Sequence, residues 1–216
     1  MKYRLVVFDW DGTIMNSTGL IAECIQLAAL DCDLPLPTIE AAKHIIGLGI
    51  IDSTRLLFPN LNDAGLQKFA ERYRAHYVPR DGTVLLYEGI EEVLKDLTHE
   101  ERFLAVATGK PRRGLERAFV HCGLQHYFHY SRCADEGFAK PHPDMLEKLM
   151  SFTGVAATET LMIGDTTHDL DMAASAGCDG LGVSYGAHQS EKLASSSHCA
   201  ILPTVVALSA WLQHNA

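Results

Sequence analysis

The chain has 216 residues, a formal net charge of -9 at pH 7 and a hydrophobic fraction of 47%. This length suits one large domain, or a core with a smaller inserted unit, and the composition is ordinary for a soluble globular protein. The acidic balance and the scattered Lys and Arg residues argue against a nucleic-acid partner. No apolar stretch approaches the length of a membrane span, so we expect no membrane partner either.

The six cysteines include no C-x-x-C pair and are expected to be reduced thiols. The apolar run near the N-terminus is too short for a signal peptide and ends in acids. We therefore expect a cytoplasmic protein. The sequence leaves its oligomeric state open between a monomer and a weak homodimer.

The first predicted strand is the apolar run Leu5 to Phe8, which is followed by Asp9, Trp10 and Asp11. Side chains alternate along an extended chain, so we expect Asp9 and Asp11 on one side and Trp10 on the other. Two carboxylates at the end of a buried strand need a cation, a shared proton, or both. A single D-x-D motif is equally consistent with the start of an ordinary loop, so the interpretation depends on the rest of the chain.

Residues 16–79 are predicted to be wholly helical. Helix starts are predicted near Thr18, Ile39, Ile50 and Asp63, and the segment Pro79 to Gly82 is the expected hinge out of this stretch. We therefore expect two domains. One is a core made of residues 1–15 and 80–216, and the other is a small helical domain, residues 16–79, inserted after the first strand.

Beyond residue 82, helix and strand patterns alternate strictly. Strands are predicted near residues 103–107, 127–133, 160–163, 181–183 and 199–202, with a helix between each successive pair. Such alternation predicts an α/β fold, a Rossmann-like parallel sheet core with helices on both faces. Ligands bind such sheets outside the carboxyl ends of the strands, so the inserted helices are expected to lie over that edge.

Three further polar clusters follow predicted strands or loops. Thr108 and Gly109 come after the strand FLAVA and could hold an oxyanion. Lys140 precedes a proline, which restrains its backbone to an extended conformation. Asp165 and Asp169 follow the strand TLMI and can face one another if a helix begins near residue 167. Such a carboxylate pair fits a hard divalent cation such as Mg²⁺.

The segments DWDGT, VATGK, GFAKPHPDML and GDTTHDLDMAASAG occur in this order along nearly the whole chain. They resemble the four motifs of the haloacid dehalogenase-like hydrolase superfamily. The helical insertion, with its segment IIGLGIIDSTRLLFP, resembles the α-helical cap of the phosphoglycolate phosphatase-like branch. The chain departs from the family pattern at Thr108, where many members have Ser, and at Asn16, where Asp is common.

The resemblance implies a Mg²⁺-dependent phosphatase that hydrolyses a small phosphorylated metabolite, a phosphoglycolate-like monoester, through an aspartyl phosphate. It implies that Asp9 is the nucleophile and Asp11 the general acid and base. The remaining implied roles are phosphate binding by Thr108, Gly109 and Lys140, and metal binding by Asp9, Asp11, Asp165 and Asp169.

Two other functions remain open at this level. A sugar phosphomutase uses the same core, and a phospho-accepting signalling module also combines a strand-end Asp with Thr and Lys. The sequence does not decide whether Lys110, His168 or Arg55 has a direct role. The loop Gly47 to Gly49 is either a specificity loop, by resemblance, or a plain turn between helices.

Overall fold

The structure, a computed structural model, describes residues 2–215. In these residues six strands form one parallel sheet in the order β3-β2-β1-β4-β5-β6. This is the strand order of a doubly wound Rossmann fold, so the predicted α/β fold is confirmed. The strands are β1 (Leu5–Phe8), β2 (Phe103–Thr108), β3 (Tyr130–Cys133), β4 (Thr160–Gly164), β5 (Asp179–Val183) and β6 (Ala200–Leu202).

Ten α-helices accompany the sheet within the same residues, and none of them is long and apolar enough to cross a membrane. Five of them lie between β1 and β2, and the first four fall within residues 16–79, as the sequence predicts. The helices are α1 (Thr18–Asp31), α2 (Ile39–His44), α3 (Ile50–Leu57), α4 (Asp63–Tyr77), α5 (Ile90–His99), α6 (Arg112–Cys122), α7 (Asp144–Thr153), α8 (Thr167–Ser175), α9 (Ser190–Leu193) and α10 (Val205–Asn215).

Strand β1 lies at the centre of the sheet and is buried on both faces. Val6 and Phe8 belong to the larger of two apolar clusters, whereas Leu5 and Val7 belong to the cluster on the opposite face. Trp10 continues the face of Val6 and Phe8, as the alternation predicts. At the end of the central strand, Trp10 fills the face of the larger apolar cluster. The side chains of Asp9 and Asp11, on either side of Trp10 in the sequence, are free to point away from that cluster.

Helices α1 to α4 enclose a third apolar cluster of their own, to which the rest of the chain contributes mainly Ala187. Helices α1 and α4 pack side by side. Asp31 of α1 accepts from Arg72 and His76 of α4, in each case at 2.7 Å. These exposed pairs contribute little to stability, so the shared apolar cluster is what holds the four helices together.

The main difference from the predicted elements lies before β3. The strand was expected from about residue 127, but it begins at Tyr130, because residues 124–127 form a short 3₁₀ helix. Gly123, with φ of 72°, ends α6 in the left-handed region and starts this turn. The turn buries Leu124 and Tyr127 in the larger core cluster. Their apolar side chains therefore indicate that these residues are buried, and do not indicate a strand.

Candidate active site

The carboxyl end of β1 lies at the point where the order of the sheet reverses. From β1 the chain continues to β2 and β3 on one side, and to β4, β5 and β6 on the other. Ligands bind parallel sheets at such a switch point. Asp9 follows β1, Thr108 ends β2 and Asp165 follows β4, so three of the predicted polar clusters meet at this edge.

Asp9 is fully buried, and its two carboxylate oxygens differ. Oδ1 accepts a hydrogen bond from Lys140 Nζ at 2.6 Å, while Oδ2 has no hydrogen-bond partner among residues 2–215. Burial raises the pKa of the Asp9 carboxyl, and the Lys140 ammonium opposes that shift. An unpartnered buried carboxylate oxygen is costly, which indicates that a ligand completes this site.

Asp165 and Asp169 lie beside Asp9, as the sequence predicts. The three side chains each offer a carboxylate oxygen, and these oxygens all lie within 4.8 Å of one another. Asp165 accepts from the Ala187 backbone N–H at 2.7 Å and from Thr13 Oγ1 at 3.2 Å. Burial, followed by the charges of Asp9 and Asp169, raises the pKa of Asp165.

Asp169 is held by the first turn of α8. Its Oδ2 accepts from the backbone N–H of Thr166 at 3.1 Å and from Thr166 Oγ1 at 2.7 Å, as part of a capping box. Its Oδ1 accepts from Lys140 Nζ at 2.6 Å. Helix α8 therefore fixes the carboxylate of Asp169 while presenting it to Lys140.

Lys140 is buried between Asp9 and Asp169. Burial alone would lower the pKa of its ammonium, but the two carboxylates outweigh burial and raise that pKa above its ordinary value. One ammonium thus faces three buried carboxylates. The excess negative charge, the oxygen-only ligand set and the unpartnered oxygen of Asp9 together fit a hard divalent cation such as Mg²⁺.

Asp11 lies apart from the group of three acids. It lines the same cavity as Asp9, but its Oδ1 accepts from Ser17 Oγ at 2.7 Å and lies 2.9 Å from Lys110 Nζ. Lys110 in turn donates to the hydroxyl of Tyr77, in α4, at 2.9 Å. The structure therefore connects Asp11 to the inserted helices rather than to Asp165 and Asp169.

Thr108 and Gly109 lie at the carboxyl end of β2 and line the same cavity as Asp9. The Thr108 hydroxyl accepts from the Lys110 backbone N–H at 3.2 Å. Gly109 lies against the loop Gly47 to Gly49, so closely that a Cβ atom on it would be 2.5 Å from the carbonyl oxygen of Gly47. That loop of the inserted helices thus covers the carboxyl end of β2.

The three residues whose roles the sequence left open lie at different distances from the site. Lys110 lies in the cavity between Asp11 and Tyr77. His168 lies beside the site, and its Nε2 donates to the carbonyl of His44 at 3.2 Å. Arg55 pairs with the exposed Asp63 and is not part of the cavity lining.

Sequence reasoning missed the backbone N–H of Ala187, which contacts Asp165, and three residues whose side chains the structure brings to the site. Thr13 contacts Asp165, Ser17 contacts Asp11, and Tyr77 contacts Lys110. Tyr77 matches the apolar spacing of α4, which indicates only burial. No local pattern in the sequence distinguishes a tyrosine that reaches the site from one that packs in the core.

Known proteins resemble this chain over most of its length. The family model described as haloacid dehalogenase-like hydrolase matches residues 6–183. The Probable phosphatase IndB of Dickeya dadantii is 32% identical in an alignment of 206 residues that covers 93% of this chain and 89% of that protein. The Phosphoglycolate phosphatase of Aliivibrio fischeri is 33% identical in an alignment of 205 residues that covers 89% of each protein.

The crystal structure of a hydrolase from Pseudomonas syringae superposes on this fold with a TM-score of 0.91, over the full length of both chains, at 19% identity. At that identity the match shows the fold alone. The resemblance drawn from the four motifs is nevertheless confirmed by the family match and by the two relatives. The chain therefore belongs to the haloacid dehalogenase-like hydrolase family.

Proposed function

We propose that this hydrolase is a Mg²⁺-dependent phosphatase that cleaves a small phosphate monoester through an aspartyl phosphate on Asp9. The observation that carries this proposal is the Oδ2 atom of Asp9, which is buried and has no partner in residues 2–215, on a residue that lines the cavity. The two relatives are both named as phosphatases, which supports the same class of reaction. Phosphoglycolate is the reference substrate to test first.

The chain's own residues supply a nucleophile and a proton carrier. Asp9 Oδ2 attacks phosphorus, the new bond to Asp9 forms and the ester P–O bond breaks. Asp11 gives its proton to the departing alkoxide. The Asp11 carboxylate then takes a proton from water, whose oxygen attacks phosphorus, so that phosphate leaves and Asp9 is regenerated.

The other buried groups are proposed to position the phosphoryl group. The Lys140 ammonium and the donors at Thr108 and Gly109 would offset charge on its oxygens. A Mg²⁺ ion held by Asp9, Asp165 and Asp169 would, when bound, stabilise negative charge on the transferring group. Asp11 was predicted as a fourth acid of the metal site, but because its side chain contacts Ser17 and Lys110, we assign it to proton transfer.

We also propose that residues 16–79 act as a cap over a core of residues 1–15 and 80–216. The separate apolar cluster of α1 to α4 supports this division, as does the cavity that lies between these helices and the ends of β1 and β2. A cytoplasmic monomer or weak homodimer remains our expectation for this enzyme.

The function is tested with 4-nitrophenyl phosphate, whose good leaving group needs little acid assistance. Wild-type protein should hydrolyse it with Mg²⁺ present and stop when the ion is chelated. Asp9→Asn should lower kcat by about 10³-fold or more, as loss of a nucleophile does. Asp171→Asn, an exposed change in α8, is the matched control and should retain activity.

Metal binding has a readout of its own. Mg²⁺ should raise the melting temperature of the wild-type protein, because a ligand that binds only the folded state stabilises it. Asp165→Asn should remove most of this increase. Full hydrolysis in excess chelator, or an active Asp9→Asn enzyme, would contradict the proposal.

A further inference from the structure

We propose that the alcohol released by this enzyme is bulky and apolar, of aromatic or branched aliphatic character, rather than a small acid such as glycolate. This inference rests on the proposed phosphatase function and narrows its substrate class. It follows from the walls of the cavity that adjoins Asp9 and Asp11, from the position of the charged groups around it, and from the contacts of Lys110.

The cavity has a volume of about 450 Å³, within the range of roughly 300–1,000 Å³ that small-molecule sites occupy. Asp9 and Asp11 line it, so we expect the alcohol part of a phosphate ester bound at Asp9 to occupy this space. The walls are predominantly apolar and come from the inserted helices. They include Ile21, Ile25, Ile45, Leu48, Ile50 and Tyr73.

Two aromatic rings form one side of the cavity. Tyr73 and Tyr77 stack with ring centroids 5.5 Å apart and an interplanar angle of 13°. Lys110 holds Tyr77 in place, because the Tyr77 hydroxyl accepts from Lys110 and the Lys110 ammonium lies 4.8 Å from the Tyr77 ring centroid. A stacked and anchored pair of this kind gives a flat apolar surface against which an aromatic or branched group can pack.

Besides Asp9, Asp11 and Lys110, the lining includes four charged residues. Arg74, Arg113, Arg117 and Asp135 are all exposed. Arg117 already pairs with Asp81 at 2.9 Å, and Asp135 accepts from a backbone N–H at 2.9 Å. Because these four residues are exposed, we expect them to meet a part of the substrate that extends towards solvent.

Among the residues described, Lys110 is the only lysine that lines the cavity. Its ammonium already has two partners. Asp11 lies 2.9 Å from its Nζ, and Tyr77 accepts from it at the same distance. Its pKa would be lowered by burial, but the Asp11 carboxylate and Tyr77 together raise it. Lys110 therefore compensates Asp11 and is not available as a counter-ion for a second carboxylate.

The carboxylate of phosphoglycolate is only two bonds from the ester oxygen. It would therefore lie among the isoleucine and tyrosine side chains, and burying an unpaired charge there is unfavourable. An apolar alcohol at the same place loses water contact and gains affinity, by about threefold to fourfold for each methylene buried.

The experiment compares kcat/KM for ethyl, n-butyl and n-hexyl phosphate with that for phosphoglycolate, all with Mg²⁺. The three alcohols have nearly equal acidity, so differences among them report contact with the cavity rather than ease of departure. We expect kcat/KM to rise about tenfold from ethyl to butyl phosphate. Phosphoglycolate should be no better a substrate than ethyl phosphate.

A pair of matched variants locates the effect. Leu48→Gln places an amide in the wall and should flatten the dependence on chain length. Leu56→Gln makes the same change on an exposed part of α3 outside the cavity, and the dependence should remain. Thermal unfolding of both proteins checks that they are folded, and the alkyl series on wild-type protein tests the inference without any variant.

The possible results separate this inference from the proposed function. If 4-nitrophenyl phosphate is hydrolysed but phosphoglycolate is preferred over butyl phosphate, or chain length has no effect, the apolar substrate class is wrong and the phosphatase stands. If no ester is hydrolysed, including 4-nitrophenyl phosphate, both proposals fail.

Discussion

Asp9 and Asp11 are separated by one residue and have different environments. Asp9 is enclosed with Asp165, Asp169 and Lys140, and one of its oxygens has no partner within residues 2–215. Asp11 accepts from a hydroxyl and contacts an ammonium at the cavity wall. Two carboxylates in different environments can take different roles in one reaction. This is the physical basis for assigning attack to Asp9 and proton transfer to its neighbour.

Asp11→Asn should therefore affect substrates unequally. Esters of poorly acidic alcohols need a proton on departure, so their kcat should fall by about 10²–10⁴-fold, the usual contribution of a positioned acid or base. An aryl phosphate can still phosphorylate Asp9, but the water that hydrolyses the adduct lacks its base. The aspartyl phosphate should accumulate, and intact-protein mass spectrometry should detect one added phosphoryl group.

Asp9→Asn treated in the same way is the control and should show no adduct. An adduct on that protein, with none on Asp11→Asn, would reverse the two roles. In Asp11→Asn, Ser17 Oγ can still donate to the oxygen of the new amide. That substitution therefore keeps one of the two contacts that orient the side chain at position 11.

At the scale of elements, the start of α8 shows what local sequence can and cannot predict. The helix was expected near residue 167, and it begins at Thr167. Thr166 and Asp169 have the spacing of a capping box, which is a local pattern. His188 also contacts this turn, since its Nδ1 accepts from the Thr167 backbone N–H at 3.1 Å. That contact joins residues 21 positions apart, and only the fold brings them together.

We expect His188 to make the stability of the folded protein depend on pH through its contact with the start of α8. It is buried, and its Nδ1 accepts from the Thr167 backbone N–H, which requires the neutral ring, while its Nε2 donates to the His44 carbonyl at 3.1 Å. Burial lowers the pKa of His188 from 6.5 to about 4. Between these values the unfolded chain binds a proton that the folded protein excludes. The stability that His188 contributes is therefore present above pH 6.5 and is lost as the pH falls towards 4, by up to about 3 kcal/mol.

Urea unfolding of wild-type protein and His188→Asn at pH 7.5 and pH 5 measures this contribution. The wild-type free energy of unfolding should fall more between the two pH values than that of the variant. The raised pKa values of Asp9 and Asp165 act in the opposite direction, but they act in both proteins and cancel in the difference. Equal pH dependence in the two proteins would show that His188 is not held neutral.

At the scale of the whole molecule, the order of helices and strands and the four motif clusters were accessible from sequence, because each depends on local periodicity or spacing. The contacts between the inserted helices and the rest of the chain were not. Lys110 reaches Tyr77, and Gly109 meets the loop of Gly47, only because the helices fold back over the end of β2. Those long-range contacts shape the cavity in which we propose that the substrate binds.

The close approach at Gly109 permits a test of this arrangement. A methyl group at Gly109 would lie 2.5 Å from the carbonyl oxygen of Gly47 and 2.8 Å from that of Leu48. Both are backbone atoms, so Gly109→Ala must displace the loop from β2. Because a misplacement of about 1 Å can cost about 10²-fold in rate, we expect kcat/KM for butyl phosphate to fall by a factor of 10 to about 10². The preference for butyl over ethyl phosphate should fall with it, since Leu48 moves with the loop.

Gly19→Ala is the matched control, because a methyl group there has no atom within 4 Å. Gly19 is the second residue of α1, where alanine is also accepted, so this variant should be at least as stable as the wild-type protein and should retain its kinetics. Gly109→Ala should keep a cooperative unfolding transition, since the apolar clusters on both sides of the contact are unchanged. If Gly109→Ala is folded and retains both its kcat/KM and its chain-length preference, the loop does not help to form the substrate site, because displacing it would then have left both quantities unaffected.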